Sequence, residues 1–342
     1  MSLLALFFFL LSRQTAAQLP PVGIIDFYGL RSLSESQVRQ ALSFKEGDVL
    51  EGSDEEIERK IEDARRKIES LPGVQRARLN LGCCVGGKAT LYVGIEEAGA
   101  PALRFREPPQ GAIRLPENVL QAGRDFETAW TIAVEQGDAA EDDSRGYTLF
   151  HNPACRAVQM RFLAFAAREP DVFRAVLRNS ADPGQRALAA EIVGYAADKN
   201  GVVSSLVEAM SDPDSNVRNN AMRALWVLAK YAQRSPREHI QIPSHAFVAM
   251  LNSLSWTDRN KSSLALSELT EDRDPAILAD LREHAIPALV EMARWKSPGH
   301  AQPAFFLLGR IAGLTEDEIR TEWDENDREP VISAALKKTG SR

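Results

Sequence analysis

The dipeptide Asp-Pro occurs between amphipathic helical stretches at Asp182-Pro183 and again at Asp212-Pro213, 30 residues later. Proline is well placed at the first position of a helix, and an aspartate before it can cap that helix. The rest of residues 153–338 also follows the helical period, and no stretch in it shows convincing strand alternation. Each helix pair is apolar on too many sides to be stable alone, so neighbouring pairs must stack. This part of the chain is therefore expected to be an all-α array of stacked units.

The second Asp-Pro turn opens a longer motif. It runs Asp214-Ser-Asn-Val-Arg218-Asn-Asn-Ala-Met-Arg-Ala-Leu225, with an acid in the turn, then Val-Arg, then Ala and Leu on the inner helix. Equivalent turns at Asp258-Arg259 and Ser297-Pro298-Gly299 follow at spacings of about 40 residues. The pattern resembles the HEAT repeat, and the resemblance implies an α-solenoid over residues 117–338 with a concave face where protein partners dock. One continuous core is expected to contain these leucines: Leu177, Leu188, Leu206, Leu225, Leu228, Leu251, Leu266, Leu289 and Leu308.

The polar residues near these turns divide into two groups. Four are expected to be chiefly structural, capping inner helices and bridging adjacent turns: Asp182, Asp212, Asp214 and Arg218. The strongest candidates for contact with a partner protein share one inner helix: Arg218, Asn219, Asn220 and Arg223. Further along, Pro287 inside the helical stretch 275–295 predicts a kink or a split. Thr315 and Glu318 form a capping box that opens the last helices.

Residues 19–98 have a different pattern, in the order β-α-α-β-β. Two helices are expected to open with capping boxes at Ser34 and Ser53, and Gly86-Gly87 fits a hairpin turn. The expected elements are a strand at Val22–Tyr28, helices near Ser34–Leu42 and Asp54–Ser70, and strands at Val74–Leu81 and Ala89–Ile95. The fold class is therefore α+β, with this small unit placed before the helical array.

This unit resembles a POTRA domain. The matching positions are Ile24, Ile25 and Gly29, then Leu33, Val38, Leu42 and the turn 44–48, then Leu71-Pro72-Gly73-Val74, and finally the strand 91–97 with its closing acid. The resemblance implies partner binding by addition of a strand at an exposed sheet edge. The alternative is a small folded cap on the helical array.

The first residues indicate export. Residues 3–11 read LLALFFFLL, a run that is too short to span a bilayer and fits the apolar part of a secretory signal. Small residues at Thr15 and Ala17 suit cleavage after Ala17, although Met1-Ser2 carries no basic side chain. A signal peptide at residues 1–17 and a periplasmic or extracellular location are therefore expected. The alternative is a buried or interfacial N-terminal helix.

The three cysteines are too few for a disulfide scaffold. Cys83 and Cys84 are adjacent, and in an oxidising compartment they could form a vicinal disulfide, or one of them could pair elsewhere. Cys155 lies in a helical stretch and is expected to be a buried thiol.

The remaining segments are distinguished by their charge and by their proline and glycine content. Residues 99–116 contain four prolines and two glycines and are expected to be an interdomain linker. Residues 135–143 carry five acids and no base, which favours a solvated loop. The chain as a whole has a formal net charge of −7, whereas residues 144–315 hold 20 bases and 17 acids. The array could therefore present a mildly basic groove to an acidic protein partner.

The sequence contains no recognisable catalytic, cofactor-binding or metal-binding motif. The five histidines lack metal-ligand spacing, and we find no nucleophile elbow, P-loop or dinucleotide fingerprint. No catalytic residue, cofactor or metal ligand is therefore predicted, and nothing points to nucleic acid.

The predicted function is that of a non-catalytic protein-binding scaffold or adaptor in the bacterial periplasm or cell envelope. Envelope association would not require a transmembrane helix. The alternatives are a HEAT-like enzyme of the chromophore-lyase type, or a docking subunit of a secretion or outer-membrane assembly machine.

Overall fold

The computed structural model describes residues 20–101 and 103–340, and the side chains of residues 54, 83, 84, 339 and 340 fall outside that description. The predicted signal peptide, residues 1–17, lies outside the described residues. The N-terminal unit consists of β1 (Val22–Tyr28), α1 (Glu35–Ala41), α2 (Asp54–Glu69), β2 (Val74–Val85) and β3 (Lys88–Glu97). The predicted order β-α-α-β-β is confirmed. Both predicted capping boxes, at Ser34 and Ser53, are formed.

The sheet has the strand order β1-β3-β2, with β1 parallel and β2 antiparallel to the central β3. Side chains alternate between its faces. Leu91, Val93 and Ile95 of β3 point to one face, where they form a core with apolar residues of α1 and α2. Gly86 and Gly87 connect β2 to β3 with φ angles of 57° and 74°, which favour glycine.

Glu97 closes β3 and fixes the loop that follows β1. Its carboxylate accepts backbone N–H bonds from Arg31 at 2.7 Å, Ser32 at 2.9 Å and Leu33 at 3.1 Å, and also a bond from the Ser32 hydroxyl. Burial by itself disfavours the charged form, but these bonds outweigh it and lower the pKa of Glu97 to about 2.

We expect Glu97→Gln to destabilise the protein in a pH-dependent way. A lowered folded-state pKa stabilises the fold above the ordinary carboxyl pKa of 4.5, and this contribution disappears as the pH falls toward 2. The free energy of unfolding should therefore drop by about 2–3 kcal/mol at pH 7, with a shrinking difference below pH 4.5. Urea unfolding of both proteins between pH 2 and pH 7 measures this. The exposed Glu58→Gln serves as control, and a pH-independent difference would contradict the assignment.

The helical part begins with α3 (Glu117–Glu135) and a short hairpin of β4 (Glu141–Asp142) and β5 (Leu149–Phe150). Its further helices are α4 (Pro153–Arg168), α5 (Pro170–Asn179), α6 (Pro183–Val193), α7 (Lys199–Ala209), α8 (Ser215–Arg234), α9 (Ser244–Met250), α10 (Trp256–Leu269), α11 (Pro275–His284), α12 (Ile286–Ala293), α13 (Pro298–Ala312), α14 (Glu316–Asp324) and α15 (Glu329–Gly340). The predicted split near Pro287 is confirmed, with Ala285 separating α11 from α12.

The helices stack in two layers, as the repeat pattern predicts. The inner layer is the series α6, α8, α10 and α13, in which each helix packs on the next, and α5, α7, α9 and α12 pack on these helices from outside. Eight of the nine leucines predicted for the core are buried in one cluster. Leu188 is the exception, because it is only partly buried at the edge of a groove.

Buried ion pairs connect successive units of the inner layer. Arg186 of α6 bonds to Asp212 in the next turn at 2.9 Å, and Arg218 of α8 bonds to Asp258 of α10 at 2.8 Å. Burial opposes the charge on Asp212, yet its bonds to Arg186 and Arg106 keep its pKa below the ordinary value. Asp182 and Asp214 cap α6 and α8. Asp182, Asp212, Asp214 and Arg218 therefore have the structural roles that the sequence predicts.

The segment 99–116 lies along the array rather than apart from it. The Arg106 guanidinium bonds to Asp212 at 2.5 Å, and the Phe105 ring lies 3.9 Å from the Arg218 guanidinium carbon. Further along, the Leu115 N–H donates to the side chain of Gln185 at 2.7 Å. The segment therefore contacts both buried ion pairs, Arg186–Asp212 and Arg218–Asp258.

The second face of the sheet packs on the array. Tyr92 stacks on Trp256 with ring centroids 4.4 Å apart, and both Tyr92 and Tyr28 contact Trp295. Tyr28 and Tyr92 belong to the same buried cluster as the inner helices.

Polar contacts tie the sheet to three successive turns of the array. Arg78 donates to Ser215 at the start of α8 at 2.7 Å, and the Tyr28 hydroxyl donates to the Leu254 carbonyl before α10 at 2.8 Å. Asp26 accepts the Lys296 N–H before α13 at 2.8 Å. The sheet and the inner helices are therefore one packed body at this face.

Candidate binding groove

An open groove of about 610 Å³ lies between α3 and the inner helices α6, α8 and α10. Helix α3 provides its apolar wall, with Leu120, Phe126 and Trp130. Trp130 is 45% exposed, so a large aromatic surface faces solvent at this wall. Gly123 allows the close approach of α3 to α6, because a Cβ there would lie 2.7 Å from a methyl carbon of Leu188.

The polar wall comes from α8. This helix buries Val217, Ala221 and Leu225 toward the core, which leaves its other side to the groove. Asn219, Asn220 and Arg223 line the cavity. Three of the four residues predicted for partner contact are therefore brought together at one surface.

The fourth, Arg218, lies elsewhere. It is 2% exposed, and its guanidinium is bonded to Asp258 and to the carbonyls of Asp212 and Pro213. Because consecutive helical residues differ in direction by about 100°, Arg218 points into the array while Asn219 does not. It performs the structural role and is not part of the groove surface.

Hydrogen bonds fix the orientation of the groove residues on α8. The Asn219 amide donates to Asn220 at 3.2 Å, and Asn220 donates to the Ala187 carbonyl of α6 at 3.0 Å. Arg223 forms an ion pair of 2.5 Å with Glu141. Although burial disfavours its charge, the carboxylates of Glu141 and Glu191 hold the pKa of Arg223 above its ordinary value.

Lys261 of α10 completes the polar wall, and sequence reasoning missed it. Burial, with repulsion from Arg223, lowers the pKa of Lys261 to about 8. Among the described residues no carboxylate forms an ion pair with it within 4 Å, unlike Arg223. The only signal in the sequence was its position three residues after Asp258, the acid of the equivalent turn.

The short hairpin after α3 closes one end of the groove and corrects the prediction of a solvated acidic loop. Glu141 pairs with Arg223, and Asp143 pairs with Lys230 and with Arg234, the latter at 3.2 Å. The prediction was wrong at these two acids because like charges favour solvation only when no cationic surface is within reach. Such a surface exists on α8, more than 80 residues away in the sequence.

Other predicted features lie away from this groove. Cys155 is a buried free thiol, as predicted, and burial raises its pKa. Cys83 and Cys84 belong to β2, but their side chains lie outside the described part of the chain, so the disulfide stays a prediction. In residues 20–101 and 103–340 we find no cluster of three metal-ligating side chains. The helices of this part are also too short or too polar to cross a membrane.

The outer edge of β2 is the second exposed feature of interest. Among the described strands, β2 pairs only with β3. Part of its outer edge is already occupied, because the Ala77 N–H donates to the Glu69 carboxylate at 2.9 Å.

Comparison with known proteins gives a partial likeness only. No family model matches the chain, and no curated protein matches it. Among solved structures, a designed armadillo repeat protein in complex with the peptide (KR)4 shares 14% identity and a TM-score of 0.35, over 55% of this chain and 95% of its own. A computationally designed armadillo repeat protein for modular peptide recognition has 14% identity and a TM-score of 0.36, over 54% and 93%. An engineered protein has 16% identity and a TM-score of 0.32, over 55% and 93%.

Proposed function

We propose that this protein is a non-catalytic protein-binding scaffold or adaptor, and that its partner binds in the groove between α3 and the inner helices. The observation that carries the proposal is the combination of an exposed Trp130 wall with Arg223, Lys261 and two amides across an open cavity. Tryptophan and arginine are enriched among the residues that dominate the binding energy of protein interfaces.

Two kinds of side chain, amide and apolar, favour a protein segment as the partner. The Asn219 and Asn220 amides can bond to the backbone groups of an extended chain, and Trp130 with Leu120 can receive its apolar side chains. The edge of β2 offers a second position for a partner strand, in the manner of the POTRA domains that the N-terminal unit resembles.

The place of action that we propose is the bacterial periplasm or cell envelope. The support is the apolar run at residues 3–11 with small residues before position 18. A soluble binding module at that place would meet partners at the membrane surface without inserting a helix itself.

We expect the double variant Asn220→Ala/Arg223→Ala to lose partner capture by about tenfold or more, because both interface residues face the groove. Crosslinked pull-down from the native cell envelope, with the whole mature chain as bait, measures this. Arg178→Ala is the matched control, since Arg178 is an exposed residue of the outer helix α5. Thermal unfolding verifies that the variants remain folded.

Unchanged capture by the double variant would overturn the groove as the binding site. Failure of the wild-type bait to enrich any protein would overturn the scaffold function. Substitutions test the proposal more sharply than deletion of residues 19–98, because deletion would expose Trp256 and Trp295, which pack on the sheet.

A further inference from the structure

An acidic segment of this chain already lies against α8, beginning at the end of the groove. Glu141 opens the two-residue strand β4 and Asp143 follows that strand, and the carboxylates of both contact α8. They contact Arg223 and Lys230, which are seven residues apart on α8, and Asp143 also contacts Arg234. The strand therefore runs beside α8 in the same direction, with its carboxylates on a row of cations.

The row extends beyond its internal occupant. The three cations of α8 form direct ion pairs with Glu141 and Asp143, whereas Lys261 of α10 forms none within 4 Å in the part of the chain that the structure describes. Glu191 and Glu268 also lie nearby and burial raises the pKa of both carboxyl groups, but within residues 20–101 and 103–340 neither forms an ion pair with these cations within 4 Å. Lys261 is left as a cation beside the groove without an ion-pair partner within 4 Å among the described residues.

The internal segment itself is held by few contacts. Its hairpin is anchored through β5, whose Leu149 and Phe150 are buried, whereas β4 has only two residues and an exposed Glu141. The side chains of Glu141 and Asp143 are 30% and 20% exposed, so each ion pair is partly solvated. Partly solvated pairs are individually weak, and a partner segment with similar carboxylates could replace them.

We propose that the α8 surface of Arg223, Lys230 and Arg234, with Lys261 beside it, binds an extended acidic segment of a partner protein. Residues 141–143 occupy part of this surface until the partner displaces them. The inference rests on the proposed scaffold function and names the chemistry of the partner, a segment with carboxylates two residues apart. Because the internal segment already occupies this surface, a partner segment must bind more tightly than it does. Contacts with Lys261 or with the apolar wall would supply the additional affinity.

A peptide copied from the chain tests this. The probe is a fluorescein-labelled peptide of residues 138–144, Asp-Ala-Ala-Glu-Asp-Asp-Ser, titrated by fluorescence anisotropy against the full mature protein at low salt. The variant Glu141→Gln/Asp143→Asn removes both internal carboxylates, so we expect it to bind the probe about tenfold more tightly than the wild type. Adding Lys261→Gln or Arg223→Gln to that variant should reverse most of the gain. A probe with Asn and Gln in place of its acids is the control.

The outcomes separate the two proposals. Equal affinity of the wild type and the double variant would overturn the internal occupant, and no binding by either would overturn the acidic-segment surface. If the double variant keeps its tighter binding of the probe after Lys261→Gln or Arg223→Gln is added, the assignment of these two residues to the binding surface would be wrong. If envelope capture depends on Asn220 and Arg223 while the probe never binds, the scaffold function stands and this inference falls. Circular dichroism establishes that each variant is folded.

Discussion

Arg218→Met is expected to lower the free energy of unfolding by about 3–5 kcal/mol, because it leaves a buried carboxylate without its partner. Asp258 is fully buried and accepts hydrogen bonds from the Arg218 guanidinium at 2.8, 3.0 and 3.2 Å. After the substitution only the Ser253 hydroxyl would still bond to that carboxylate among its present side-chain partners. Urea unfolding followed by circular dichroism measures the loss.

Two further variants make this test specific. Arg218→Met/Asp258→Leu removes both charges, and we expect it to recover a large part of the loss because a well-packed apolar pair can replace a buried ion pair. Arg178→Met breaks an exposed pair with Glu208 on the outer helices and should cost less than about 1 kcal/mol. Similar losses for Arg178→Met and Arg218→Met would contradict the importance of burial in this pair.

The second large effect is expected at Trp295, which joins the sheet to the array. Its ring is 2% exposed and contacts Tyr28 and Tyr92 of the sheet. Trp295→Ala would leave a large cavity between the two parts, at an expected cost of about 3–5 kcal/mol. Hydrogen exchange should then accelerate in β1 and β3, because their packed face becomes accessible.

The indole N–H of Trp295 provides an internal control. Among the described residues it has no hydrogen-bond partner, so Trp295→Phe removes a buried unpaired donor while keeping most of the packing. We expect Trp295→Phe to cost far less than Trp295→Ala. Trp130→Ala, at an exposed tryptophan of the groove, should leave exchange in the sheet unchanged. Equal exchange in all three variants would show that Trp295 does not join the two parts.

The local elements could be predicted from the sequence because their signals are local. The capping boxes at Ser34, Ser53 and Thr315 set helix starts through contacts three residues apart. The helical period likewise identified the buried leucines. Leu188 was misplaced because only the position of α3 shows that a groove opens beside it.

The candidate site was only partly predictable, because its charges meet across long sequence distances. Arg218 and Arg223 are both arginines of one helix, and nothing local shows that one is buried against Asp258 while the other meets Glu141. Lys261 lies on a helix whose buried residues are largely polar, so the amphipathic pattern that marks a surface is absent there. The packing of the sheet on the array could not be predicted from the sequence either, because Tyr92 and Trp256 are far apart in the chain.

The three ties between the sheet and the turns before α8, α10 and α13 have a mechanical consequence. A stacked array bends when adjacent units slide, and a sheet bonded to Ser215, Leu254 and Lys296 crosslinks these units against sliding. The sheet therefore restricts sliding between the units that begin at α8, α10 and α13.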